Sequence, residues 1–311
     1  MWPRPGHGVQ HGLSARSCVG DRYRGYSRRV VGAHCYQGQH AVLATMHDKG
    51  PLVAPALQAG VGLIVQAIAV DTDVLGTFSG DVVRTGSPWD TAVAKARLGM
   101  HVADRPIGLA SEGSIGPDAA MPFVICAVEL VVLVDDQRGI VVGEAERGFD
   151  IVTVAADVVP GEDVGDVLRR GRFPEHAMTV RPASGISEPI FKGIVTVEEL
   201  DRAIRSCAME SSDGRALLET DLRAHQCPSR RPIIARAAKR LAARLAVCCP
   251  QCDTPGWGMI RVEFGLPCTS CGHDVHASRG DVMGCASCPA TRTVLRAETA
   301  ADPRHCEWCN P

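Results

Sequence analysis

The stretch "SPWDTAVAKARLGMHVADRPIGLASEGS", residues 87–114, decides the fold class. Ser87 followed by Pro88 is a helix start: the serine caps the first turn, and proline is tolerated there because its missing N–H has no helical partner to lose. The helix runs to about Val102, and "RPIGLAS" (105–111) reads as a strand. Helix followed closely by apolar strand is the repeating step of an α/β layer structure. Chemistry rides on the same stretch, with Asp90 and Lys95 in the first two turns and Glu112 where the strand is expected to give way to "EGSIGP".

Working outward, "HAVLAT" (40–45) and "GLIVQAIAV" (62–70) read as strands, separated by a weak helix at 49–58 that Pro55 interrupts. "FVICAVELVVLVDDQRGIVVGEAE" reads as a long hairpin turning at 135–139. "FDIVTVAAD" and "HAMTVRP" follow as strands, "TVEELDRAIRSCAM" (196–209) as a helix and "ALLETD" (216–221) as a last strand. The sequence therefore predicts an α/β fold with a mixed-sheet body at 36–228, a basic connecting helix at 229–247 and two small zinc-ribbon modules at 248–311.

The first 35 residues carry six Arg against one Asp and no sustained apolar period, which suits a disordered basic tail or a start assigned too early. Elsewhere, a 45% hydrophobic chain of 311 residues can bury a sizeable core. A formal charge of −2 exerts no overall pull toward nucleic acid or an anionic membrane. The longest apolar run, "PFVICAVELVVLV" (122–134), is interrupted by Glu129 and too short to span a bilayer. No signal-peptide pattern appears, so a cytoplasmic location is expected. The oligomeric state is left open.

Nine of the 14 cysteines lie between Cys248 and Cys309, and eight form C-x-x-C pairs: Cys249 and Cys252, Cys268 and Cys271, Cys285 and Cys288, Cys306 and Cys309. Fifteen residues separate the first two pairs and 17 the last two, the spacing of Cys₄ zinc sites, so two structural Zn²⁺ are expected. Pairs one with two and three with four would serve, and so would an interleaved scheme; spacing leaves both open. From Cys248 onward five Arg face seven Asp or Glu, the wrong balance for a phosphate-tracking surface, so nucleic acid is not the favoured partner. "RRPIIARAAKRLAARLAV" (230–247) holds six basic residues and no acid, with Ile234, Leu241 and Leu245 on one face and Arg236, Arg240 and Arg244 on another. A solvated connecting helix is the plain reading, and a helix lending Arg to phosphate or RNA the sharper one.

Carboxylates such as Asp90 and Glu112, near the ends of adjacent elements, can share Mg²⁺, which is usually held by one or two carboxylates plus substrate phosphates. "ETDLRAHQCPSRR" (219–231) crowds further charge after a strand end, where open α/β sheets place ligands: Arg223 and Arg230 as phosphate contacts, Asp221 or Glu219 as metal partners. Lys192 is a weaker candidate of the same kind.

"VLATMHDKG", "DTDVLGTFSGD", "SPWDTAVAKA", "GLASEGSIGP", "ETDLRAH", "CPQCDTPGWG" and "CEWCNP" together resemble a bacterial domain-of-unknown-function family that joins an α/β body to C-terminal zinc ribbons. Over 41–116 the body also resembles the house-cleaning pyrophosphatases that act on inosine and xanthosine triphosphates. Their strand ending A-T-x-N-x-x-K is matched by "ATMHDK", with His47 for Asn and Lys49 one residue early. "DTAVAKA" places Asp90 on their metal-site Glu and Lys95 on their Lys, and "GLASEGS" places Glu112 on a metal carboxylate. The resemblance implies the inosine triphosphatase fold and a Mg²⁺-dependent phosphohydrolase that takes a nucleotide or another phosphorylated small molecule and releases pyrophosphate. Lys49 and Lys95 would neutralise the triphosphate, Asp90 and Glu112 would hold Mg²⁺, and Thr45, Ser111 and Ser114 would donate hydrogen bonds to substrate. The competing function class is a non-catalytic zinc-ribbon protein that binds RNA or a protein partner.

Overall fold

The structure is a computed structural model that describes residues 34–71, 86–185 and 188–310. The expectation for the basic N-terminal segment falls almost wholly outside the described residues, as does most of "DTDVLGTFSGD". The described chain is a mixed α/β protein with three sheets.

The first sheet has the order β2-β1-β3-β4-β5. β1 (His40–Ala44) lies parallel to both β2 (Ile64–Ile68) and β3 (Ile107–Pro117), and β4 (Ile125–Asp135) and β5 (Ile140–Gly148) complete it antiparallel. Parallel neighbours need crossovers, supplied by α1 (Gly50–Val61) and α2 (Pro88–Ala103). Pro55 sits inside α1, where the N–H it removes would have bonded only to a carbonyl of the first turn, so the helix continues to Val61 past the expected interruption. Alternation along the strands sorts the core. Leu43, Leu109, Val131 and Leu133 face α1 and the C-terminal helix α5 (Arg231–Leu245), while Val42, Ala110, Val132 and Val134 face α2.

The helix expected to be a solvated connector is thus a core element. Ile234, Ala237, Ala238, Leu241 and Leu245 of α5 are buried with Leu57 of α1 against the first sheet. The arginines of the basic face are taken up by acids of the sheet. Arg236 pairs with Glu146, Arg240 with both Glu144 and Glu146, and Arg244 with Glu144, all on β5.

The second sheet, order β6-β9-β7-β8, is built from β6 (Ala155–Val158), β7 (Met178–Pro182), β8 (Phe191–Ile194) and β9 (Ala216–Thr220). Its apolar face packs under α4 (Val197–Glu210) in a core separate from that of the first sheet. The expected strand at 149–157 survives only at its end, and the short α3 (Gly165–Arg170) and β8 carry no clear period in the sequence.

The third sheet is the meander β10 (Gly258–Pro267), β11 (Asp274–Gly284) and β12 (Thr291–Leu295). Its root is fixed to the body through Arg244, which donates to the carbonyls of Gly256 and Gly143, and Trp257 is buried in the root beside Cys249 and Met283. No helix among the described residues is long and apolar enough to cross a membrane.

Candidate metal centres and a buried charge cluster

The parallel strands β1 and β2 end together, but β3 runs on. With Leu43 opposite Leu109, the residues Ser111 and Glu112 lie level with the carboxyl end of β1. Glu112 is therefore mid-strand and not in a turn: pairing with β4 as far as Pro117 opposite Ile125 keeps "EGSIGP" extended despite its glycines.

Charges converge on this point from three elements. Lys49, at the N-terminus of α1, is buried and donates from Nζ to the Ser111 carbonyl at 3.1 Å. On the α2 face, Lys95 meets Glu112 at 2.5 Å. On the other face, Glu129 of β4 holds Arg230 through bonds of 2.7 and 3.0 Å, with both side chains buried. Arg230 also donates to the Leu222 carbonyl. Gly113, opposite Glu129, is required by this pair: a Cβ there would lie 2.7 Å from the Glu129 carboxylate and closer still to the guanidinium.

Among the described residues, three cations here share two carboxylates. The surplus shows in Lys49, whose ammonium is pulled down to about 8 by burial and then by the Arg230 charge. Burial, with Lys49 next, also lowers His47 to about 4, so its ring is neutral at pH 7. His47 stacks on His225 with ring centroids 4.9 Å apart. The buried Nδ1 of His47 and Oγ of Ser111 have no hydrogen-bond partner among the described residues. A buried site with surplus positive charge and unused polar atoms is chemically suited to an anion.

The expected site residues separate accordingly. Lys49, Lys95, Ser111, Glu112 and Arg230 come together, and Thr45 adjoins them at the end of β1, its Oγ1 accepting from the His47 N–H. Ser114 is half-buried further along β3. Arg223 clamps the buried Asp221 at 2.5 Å, and its charge is one of those that lower His47. Asp90 is exposed, and its carboxylate closes a capping box by accepting from the Ser87 N–H at 3.3 Å, with a further bond from the Ser87 hydroxyl at 2.6 Å. Five residues separate it from Lys95, about 140° around the helix, so the two point differently. Glu129 and the His47–His225 pair were not singled out by spacing. The available signal was a lone carboxylate inside "AVELVVLV", since an unpaired acid does not survive in a buried strand.

Fit to Mg²⁺ is limited. Among the described residues, the groups of three or more His, Cys, Asp or Glu placed to hold a metal are the two cysteine clusters. A Mg²⁺ at Glu112 would have to arrive on phosphates, with that carboxylate released by Lys95.

The eight cysteines form two tetrads: Cys249, Cys252, Cys285 and Cys288, and Cys268, Cys271, Cys306 and Cys309. Of the two schemes spacing allowed, the structure takes the interleaved one. Antiparallel strands require it. Each traverse of the meander reverses ends, so Gly258 meets Gly284 and Pro267 meets Asp274, which puts knuckles one and three at the root and two and four at the tip. The ten residues of β10 separate root from tip by about 30 Å. Sulfur separations of 3.8 and 3.5 Å at the root and 3.9 and 3.5 Å at the tip match the edge of about 3.8 Å of a tetrahedron with metal–sulfur bonds of about 2.3 Å. Disulfides would need about 2.05 Å. In each tetrad one thiol is pulled down, Cys252 to about 6 by the Thr254 hydroxyl and Cys268 to about 7 by the Cys271 backbone, while Cys285, Cys288, Cys271 and Cys309 are raised, so a full set of thiolates needs the charge of a metal.

An α/β body ending in two interleaved Cys₄ clusters defines the class of protein. The chain belongs to the family described as domain of unknown function DUF6671, whose model matches residues 95–311. That span contains Lys95, Glu112, Glu129, Arg230 and all eight clustered cysteines, and begins after Lys49. No curated protein matches the chain.

Proposed function

We propose that the chain is a Mg²⁺-dependent phosphohydrolase acting on a phosphorylated small molecule, with its reaction centre at the carboxyl end of β1. The observation that carries this reading is the convergence of Lys49, Lys95 and Arg230 on two carboxylates among the described residues there, where α/β sheets with a change of strand order place their ligands. The arrangement of a lysine after β1, a lysine in α2 and a carboxylate in β3 also supports the resemblance to the inosine triphosphatase fold.

Lys49 and Lys95 neutralise the phosphate charge, and Ser111 and His47 supply polar contacts. As Lys95 turns to phosphate, Glu112 is freed to orient a water and accept its proton. The water oxygen bonds to phosphorus, the P–O bond to the leaving group breaks and its electron pair goes with the departing oxygen, which leaves as phosphate from an anhydride or as the alcohol from a monoester. From a nucleoside triphosphate attacked at the α-phosphorus the products are a monophosphate and pyrophosphate. Mg²⁺ bound on the phosphates would supply further charge neutralisation and a more acidic water. Two Zn²⁺ in the cysteine tetrads would hold the ribbon. The RNA-binding alternative draws no support from α5, whose arginines are paired with Glu144 and Glu146.

The test is phosphate and pyrophosphate release, with Mg²⁺, from a panel of nucleoside triphosphates, other phosphoanhydrides and phosphate monoesters, sugar phosphates among them. We expect turnover that Glu112→Gln lowers by about 10²–10⁴-fold, the range for a lost general base, in protein that keeps its metal and near-UV spectrum. Silence from correctly folded wild type across the panel would overturn the reading.

A further inference from the structure

A cleft lies between the two body sheets, beside the charge cluster. One wall is the uncovered face of the second sheet. Alternation sends Met178, Val180 and Leu218 under α4, so Thr179, Arg181 and Glu219 face the other way, into the cleft. The facing wall is apolar, made by Ile115 at the end of β3 and Ile125 at the start of β4. The cavity measures about 390 Å³, in the range of small-ligand sites. It connects to the cluster through one short segment. Asp221, Leu222 and Arg223 line the cleft, the Leu222 carbonyl accepts from Arg230, and His225 stacks on His47.

The lining names a chemistry. Glu219 is an acceptor held by Arg181 at 3.2 Å, while the buried Asp221 is taken up by Arg223 and the Gly193 N–H and serves to fix that wall. Thr153 and Thr179 offer hydroxyls beside them. None of the described residues lining the cleft is aromatic, whereas bases are commonly recognised by stacking on aromatic side chains or free guanidinium planes. Arg181 and Arg223 are each tied to a carboxylate. A fixed acceptor and hydroxyls opposite an aliphatic wall suit a ring with hydroxyls on its edge and C–H groups on its face.

We propose that the cleft binds the organic part of the substrate, and that this part is a sugar or polyol and not a nucleoside base. The proposal rests on the phosphohydrolase reading and adds the substrate class: a phosphorylated sugar, with phosphate at Lys49 and hydroxyls on Glu219, Thr153 and Thr179.

Calorimetric titration of the full, metal-loaded chain with inorganic phosphate, glucose 6-phosphate and inosine 5′-monophosphate separates the claims. Glucose 6-phosphate should bind at least tenfold more tightly than inorganic phosphate and than the nucleotide. Ile125→Trp, which fills the cleft from a partly exposed position, should erase that gain, and Thr179→Val should reduce it severalfold. Both variants should bind inorganic phosphate like wild type, while Lys49→Met should not. Inorganic phosphate that binds at Lys49 with no gain from the sugar, or a nucleotide that binds more tightly than the sugar phosphate, overturns the cleft proposal alone. Failure of every probe to bind brings down the phosphohydrolase reading with it.

Discussion

At Lys49 the cost of a buried, unneutralised ammonium can be read from outside. Its folded pKa of about 8 lies below the ordinary 10.5 because burial and Arg230 disfavour the charged form. Between these values the unfolded chain binds a proton that the folded chain does not, so stability rises with pH through this window; below about 8 the full penalty is present. Lys49→Met carries no such penalty. Its stability advantage over wild type should be largest at pH 7 and shrink as pH approaches 10, measured by urea unfolding. Phosphate should narrow the gap at pH 7 by supplying the missing counter-charge. An advantage independent of pH would show that Lys49 is already neutralised.

Elements show what periodicity can and cannot reveal. The apolar stripe Ile234, Leu241 and Leu245 of α5 was legible, yet the arginines on its other face suggested solvent because their partners, Glu144 and Glu146, lie about 90 residues away in sequence and meet them only across β5. Buried on the sheet, Leu241→Ala should cost about 2–5 kcal/mol, against less than about 0.5 kcal/mol for a solvated connector; chemical denaturation distinguishes them. Strand β3 teaches the same lesson. Its start at "RPIGLAS" was legible, but the strand was expected to give way at "EGSIGP", and only the ladder to β4 holds that stretch extended. In the candidate site, the matched lysines and Glu112 could be named from sequence, while Glu129 gains meaning from Arg230, a tertiary partner. Asp90 looked like a metal ligand because a helix-capping acid and a catalytic acid occupy the same kind of position; the capping box with Ser87 is the contact observed.

Across the whole molecule, strand direction places the chemistry. Parallel β1 and β3 bring Lys49 and Glu112 to one end of the first sheet, and the antiparallel meander sends alternate cysteine knuckles to opposite ends of the third. The ribbon offers the most direct test, since knuckle pairing follows from topology alone. Bound zinc per chain should be measured by elemental analysis in Cys249→Ser/Cys285→Ser and Cys249→Ser/Cys268→Ser. Interleaved tetrads predict that the first double variant loses one of two ions and keeps the other, while the second loses both. The reverse result, both ions lost from the first and one kept by the second, would mean that neighbours in sequence share a metal and that the meander is wrong.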